Sequence, residues 1–361
     1  MYPNKCKRSI RSAQQARQYG KSVWAEPQPT RTGSAAWPSP DKCHARKFAL
    51  GLLHATQRRP PHGADVAGEG GGAARRQTLN AQRSRVAALL TLQLRYGRNS
   101  TSLPRIPMGN TDILSIQLYT LRSLGDLERV LDTVKQAGYG HVETIGSHLD
   151  DAENVRAKLD ARGLKVSSSH VSLEAVRDRP DQVVQACHTL GFDQLFMPAV
   201  PSEEREGDAS YWRALGHELG EIARRMREHG IAFGYHNHHW ELAPKDGAKT
   251  ALELIFEAAD SPLAWQVDVA WLIRGGADPK EWMHRYRDRI ISAHVKDIAP
   301  KGQNEDQDGW ADVGAGVLDW RDLWQAARAA GARWMVVEHD TPADPAETAR
   351  ASYAFISGME R

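Results

Sequence analysis

The chain has 361 residues, 41% hydrophobic and 25% charged, enough for one large domain or two ordinary ones. Its net charge of +2 hides an asymmetry: residues 1–107 hold 19 lysines and arginines against 4 acidic residues, while residues 108–361 hold 28 against 41. That acidic second part disfavours a nucleic-acid backbone as partner, and no apolar run reaches the roughly 18 residues of a membrane span.

Residues 1–107 read as a low-complexity basic extension. Segment 22–73 is rich in Pro, Gly, Ala and Ser, with a glycine run at 70–72, and disorder is the expectation there. Ala74 to Leu94 can form a short helix, but its basic residues are scattered and show no zinc-finger or helix-turn-helix pattern. The N-terminus lacks the apolar core of a secretory signal, and its prolines and glycines interrupt any amphipathic targeting helix. The economical reading makes Met108 the true start. Of the three cysteines only Cys187 follows it, so no disulfide framework is available, which suits a reducing cytoplasm. Cys187 itself reads as helix packing.

After Met108 short apolar strands alternate with amphipathic helices. The predicted strands are 113–119, 140–145, 164–170, 193–198, 231–238, 263–269, 289–295 and 333–339. Helical patterns fall near 125–136, 150–161, 179–190, 207–228, 246–259, 279–286, 319–330 and 345–356. In 125–136, Leu127, Val130, Leu131 and Val134 form one apolar stripe while Glu128, Arg129 and Asp132 face away. Eight strand–helix units over residues 108–361 predict a (β/α)₈ TIM barrel. The competing doubly wound sheet needs a switch point, and no glycine-rich phosphate loop follows the first strand.

In a barrel, side chains at the C-terminal strand ends share one face. Those positions carry Glu143, His170, His236, Asn237, His238, Glu241, Asp268, His294, Lys296, Glu338 and Asp340. Carboxylates buried without partners are costly, so a cation among them resolves the cluster. Asp268, His294 and Glu338 end three consecutive strands at comparable height. Their oxygen and nitrogen donors suit one divalent metal, Mn²⁺ first, with Mg²⁺, Co²⁺ or Zn²⁺ as alternatives. Each also has a bland reading: Asp268 as a helix cap, His294 as a core histidine, Glu338 as an ion-pair partner. His236 and His238 share one strand face, so either can ligate metal or move a proton. We expect His238 as the fourth ligand and His236 among the catalytic groups with Glu338, Glu143 and Lys296. Lys296 can stabilise a developing enolate oxygen or bind an anionic substrate group. His170, Asn237, Trp240 and Trp271 are expected to touch substrate, the tryptophans by covering a sugar ring. The polar segment 300–316 allows lid-like bending through its glycines, and Asp319 can cap the next helix.

Five segments, FGYHNHHWE at 233–241, WQVDVAW at 265–271, ISAHVKD at 291–297, DVGAGVLDW at 312–320 and MVVEHD at 335–340, resemble the sugar phosphate isomerase/epimerase superfamily. That group includes xylose isomerase-like enzymes, ketose 3-epimerases, inosose dehydratase-like proteins and endonuclease IV. The resemblance spans roughly 113–356 and implies one metal held by Glu, Asp, His and Glu, of which the last three map onto Asp268, His294 and Glu338. The fifth strand departs from it, offering His236 and His238, with Glu241 beyond, where many relatives place a glutamate. The resemblance implies isomerisation or epimerisation of a sugar through an enediolate. Alternatives are a keto-sugar or inosose dehydratase or lyase, including 3-keto-glycoside elimination, a nuclease, and a non-catalytic sugar-binding barrel. A small sugar or polyol-derived substrate, no nucleic acid, no membrane and a possible homo-oligomer complete the expectation. A chain starting at Met108 should express in soluble form with the circular dichroism and activity of the full chain; loss of folding on truncation would refute the dispensable extension.

Overall fold

A computed structural model of the chain describes residues 109–260 and 263–359, so the expected extension over 1–107 lies outside the described residues. Eight parallel strands close into a barrel: β1 (Leu114–Gln117), β2 (His141–Thr144), β3 (Lys165–His170), β4 (Gln194–Met197), β5 (Ala232–His236), β6 (Ala264–Asp268), β7 (Ile290–Val295) and β8 (Trp334–Val337). Strand β8 closes on β1 through Leu114↔Met335, Ser115↔Val336 and Ile116↔Val337, which removes the open edge a doubly wound sheet would need. Every predicted strand is present.

The predicted helices are present as well, from Leu127–Ala137 to Pro345–Gly358. The first is set at both ends by its sequence. The Asp126 carboxylate accepts the Arg129 N–H at 2.9 Å, and Gly138, at φ 108°, ends the helix where a Cβ would lie 2.6 Å from the Tyr353 ring. Several boundaries moved, with β1 stopping at Gln117 rather than 119 and β8 at Val337 rather than 339. The helix expected from 246 starts at Ala251, because Pro244–Asp246 and Lys249–Thr250 form a tight hairpin around Gly247 at φ 59°. Strand β5 stops at His236 rather than 238. The short helices Gly146–Leu149, Leu173–Asp178 and Val269–Arg274, which follow β2, β3 and β6, are too brief to show a helical period.

The barrel interior is polar where such barrels usually carry branched apolar side chains. Ser115, Gln117, Glu143, Ser168, Gln266 and Ser292 are all fully buried, and hydrogen bonds join them into a layer crossing the lumen. The apolar core lies between the strands and the surrounding helices, with Trp212, Phe233, Tyr235, Phe256 and Trp265 among its largest members. Helix Ala209–Glu228 approaches helix Ala251–Ala259 across Gly216 and Gly220. A Cβ would lie 2.6 Å from the Ile255 carbonyl oxygen at the first and 2.2 Å from that of Ala259 at the second. Helix propensity alone would make Gly220→Ala stabilising by about 1 kcal/mol. The clash with rigid backbone should instead make it destabilising by about 1–3 kcal/mol in urea unfolding; a variant as stable as the parent would show that the helices part freely.

Candidate functional site

Four side chains from four neighbouring strands converge at the C-terminal end of the barrel. His236, Asp268, His294 and Glu338 are all buried and place one ligand atom each within 4.8 Å of one another. The register explains this: Asp268 pairs with His294, His294 with Val336, and Glu338 is the residue after β8. Asp268 divides its carboxylate. Oδ1 accepts the Trp271 N–H at 2.9 Å and caps the following helix, so the bland reading of Asp268 holds for that oxygen. Oδ2 is buried and accepts no hydrogen bond. It lies 3.9 Å from His236 Nε2, 3.9 Å from His294 Nδ1 and 3.3 Å from Lys296 Nζ. An orphaned carboxylate oxygen facing two imidazole nitrogens and a second carboxylate fits a divalent cation, and the group is a metal-binding site.

Beneath the group lies Glu143. Its Oε1 accepts from Gln117 Nε2 at 2.7 Å and from His294 Nε2 at 2.7 Å, with His170 Nε2 at 3.2 Å. Its Oε2 accepts from Ser168 Oγ at 2.5 Å and Gln266 Nε2 at 2.6 Å. Burial opposes ionisation, but His170, His294 and these hydrogen bonds prevail and hold the carboxyl at about 2. Glu143, expected among the catalytic groups, has both oxygens hydrogen-bonded and no exposure, and it lies against His294. For His294, burial opposes protonation, but Glu338 and Glu143 outweigh it and raise the imidazole to about 10. His236 is driven well below its usual value by burial and by His294 and His170 and is neutral, whereas His294 would have to give up a proton to hold a cation.

Lys296 is fully buried, with Nζ 2.9 Å from Glu338 Oε2 and 3.0 Å from both Asp340 oxygens. Burial disfavours its charge, but Asp268, Asp340 and Glu338 overcome that and raise its pKa. Its ammonium also lies 4.9 Å from the Trp310 ring centre. Lys296 thus faces three carboxylates. Asp340, which the sequence offered only as one of several strand-end acids, is pushed by burial to about 6 despite the opposing ammonium. Glu338 is brought well below the carboxylate range by Lys296 and His294 against the effect of burial.

The fifth strand resolves differently from expectation. His236 joins the metal group, and His238 does not. Beyond the end of β5 the His238 ring stacks on Trp240, with centres 4.1 Å apart and planes at 12°. Glu241 turns away, accepting from the Tyr235 hydroxyl at 2.7 Å and the His238 N–H at 2.9 Å. Asn237 is fully buried and holds β5 to β6: Oδ1 accepts from Trp265 Nε1 and the Asp268 N–H, and Nδ2 donates to the Asp268 carbonyl. Trp240 is sandwiched between His238 and the Arg205 guanidinium, 3.6 Å from its ring. Trp271 is packed by His239, Trp310 and Arg274. Both rings thus have protein neighbours on their faces, and the Nε1 of each is buried without a hydrogen bond. His170, 9% exposed, lies beside His294 with Nε2 2.7 Å from Gln266 Oε1.

The C-terminal end of the segment expected to bend as a lid is tied to Asp297. The Asp297 carboxylate accepts N–H groups from Ile298, Gly314, Gly316 and Leu318. A Cβ on Gly316 would fall 2.2 Å from that carboxylate, so the glycines serve close approach. Asp319 caps the next helix through the Asp322 N–H at 3.3 Å. Cys187 is buried helix packing, its thiol pushed to about 12 by burial.

Burial raises Glu241 to about 7 from 4.5. The fold therefore binds its proton more tightly than the unfolded chain does. The stability this contributes is fully present below pH 4.5 and is lost as pH rises through 7. Glu241→Gln should abolish that dependence, so its stability relative to the parent should climb by about 3 kcal/mol between pH 4.5 and 8 in denaturant titrations. A pH-independent difference would mean that Glu241 is ionised throughout.

Among described residues, no helix is long and apolar enough to cross a membrane. A family model described as xylose isomerase-like TIM barrel matches residues 131–358. The inosose dehydratase of Lacticaseibacillus casei is 24% identical over 264 residues, covering 63% of this chain and 86% of that protein. The rhizopine catabolism protein MocC of Rhizobium meliloti is 24% identical over 292 residues, covering 72% and 88%. A solved sugar phosphate isomerase/epimerase from Parabacteroides distasonis superposes with a TM-score of 0.56 at 21% identity, covering 72% and 98%.

Proposed function

The chain belongs to the xylose isomerase-like TIM barrel family, and from that premise we propose that it is an enzyme of metal-dependent enolisation. The substrate is a small carbonyl-bearing sugar or polyol, and the outcome is isomerisation, epimerisation or dehydration. The observation that carries this reading is Asp268 Oδ2, a buried carboxylate oxygen without a hydrogen bond, facing His236, His294 and Glu338. His236, Asp268, His294 and Glu338 would hold the cation, and their mixed donors favour Mn²⁺, with Mg²⁺, Co²⁺ and Zn²⁺ as alternatives. A divalent cation there supplies Lewis-acid stabilisation of the charge that develops on a carbonyl oxygen when the neighbouring carbon loses a proton.

Glu338 is the most exposed of the four, at 6%, and is ionised, so it takes that proton. Lys296 fixes the Glu338 carboxylate and keeps it charged. Asp340, titrating near neutrality on the far side of Lys296, is the acid available to a leaving hydroxyl. Return of the proton to the adjacent carbon isomerises, return to the opposite face of the same carbon epimerises, and expulsion of a β-hydroxyl as water dehydrates. The inosose dehydratase relative favours the third outcome on a keto-polyol.

The Mn²⁺-loaded protein in heavy water, offered keto-sugars and inososes, should place deuterium on the carbon beside the carbonyl; an enone chromophore would identify dehydration. Binding without exchange across the panel would leave a sugar-binding barrel. Asp268→Ala and His236→Ala should bring bound metal to background by elemental analysis, whereas His238→Ala should retain it. Full metal occupancy in the first two would end the ligand assignment.

A further inference from the structure

Three histidines crowd the floor of the site. His170 and His294 stack with centres 5.3 Å apart, and His236 lies 4.5 Å from His294. Three clustered imidazoles can each carry a proton on either nitrogen, and a ligand bound through the wrong tautomer presents a hydrogen to the metal. The contacts below them remove that freedom. The Tyr119 N–H donates to Gln117 Oε1 at 3.2 Å, so Gln117 turns its Nε2 to Glu143 Oε1. Gln266 Nε2 faces Glu143 Oε2 at 2.6 Å and Ser292 Oγ at 3.1 Å, an orientation the carboxylate would resist if the amide were reversed. Gln266 Oε1 is left facing His170 Nε2 at 2.7 Å and His236 Nδ1 at 3.0 Å, and a carbonyl oxygen can only accept.

We propose that Gln266 is a positioning residue that, oriented by Glu143, sets the histidine tautomers of the metal site. Both nitrogens facing its Oε1 carry hydrogen. His236 therefore turns a Nε2 lone pair to Asp268 Oδ2, 3.9 Å away. His294 faces a carboxylate at each nitrogen, Glu143 at 2.7 Å from Nε2 and Glu338 at 2.9 Å from Nδ1; only Nδ1 lies beside Asp268 Oδ2, so a cation there would displace the Nδ1 proton and leave Nε2–H on Glu143. The site thus uses opposite nitrogens of its two histidines, and His170, held at Nε2, keeps its Nδ1 lone pair. This assignment rests on the metal-dependent reading above, and it has a readout that does not involve turnover.

The full chain, labelled with ¹⁵N-histidine and loaded with diamagnetic Zn²⁺, should show His236 as the Nδ1–H form and His294 as the Nε2–H form in long-range ¹H–¹⁵N correlation spectra. The reverse protonation of either ring would overturn the proposal. Gln266→Met, close in volume but without an acceptor oxygen, should leave the circular dichroism unchanged, mix the His236 tautomers and weaken Mn²⁺ binding about 10–100-fold by calorimetry. A folded variant with parental Mn²⁺ affinity and a single His236 tautomer would also overturn it. If that variant does not fold, the spectrum of the parent protein decides alone. Correct tautomers in a protein that exchanges no substrate deuterium would sustain this assignment and retire the enolisation reading.

Discussion

The site depends on one buried carboxylate. Glu143 lies in the barrel lumen with no exposure and spends both oxygens on the two glutamine amides, a serine hydroxyl and imidazole N–H groups. Ionised and unpaired, such a group would cost several kcal/mol; surrounded by donors, it becomes the fixed point from which the layer above is oriented. Strands β1, β3, β6 and β7 each contribute a partner, so closure of the barrel and satisfaction of this carboxylate are the same structural event. Apolar packing could fill a lumen of this size, but it could not direct the hydrogen atoms of the imidazoles above it.

Above that floor the charge balance reverses. Asp268, Glu338 and Asp340 crowd one wall, and Lys296 is the buried cation that answers them. The lysine neutralises part of the wall and is itself held charged by it. Asp268 Oδ2 is a fully buried oxygen of this wall that accepts no hydrogen bond. The remaining demand is for a cation at the point where Oδ2, two imidazole lone pairs and Glu338 meet. Aromatic rings on the β5 and β6 sides, Trp240, Trp271 and Trp310, exclude water there and so strengthen each of these interactions.

Much of this was legible in the sequence, for identifiable reasons. A parallel barrel strand is buried on both faces, so the runs ending at Asp268, His294 and Glu338 stand out, and barrel topology alone brings their ends together. The choice between His236 and His238 was not legible. Both lie on one face of an extended segment, and the decision rests on where β5 stops. The chain leaves the sheet after His236, and His238 stacks on Trp240 outside the ligand group. The role of Glu143 was hidden for a related reason: periodicity shows which way a side chain points, not how many donors wait there. Trp240 and Trp271 lie at the C-terminal end, but His238, two residues from Trp240, covers that ring, and Arg205 and His239 reach the two rings from distant segments that no local pattern connects to them. The same holds for the glycines at 314 and 316, whose freedom serves the Asp297 carboxylate.

The central claim is that these strand ends form one cation site with a defined set of four atoms. Crystals of the Mn²⁺-loaded protein, measured at the manganese absorption edge, test it most directly. The account predicts a single anomalous peak bonded to His236 Nε2, Asp268 Oδ2, His294 Nδ1 and Glu338. A peak on His238 or Glu241, or a coordination shell that leaves out Asp268 Oδ2, would contradict it.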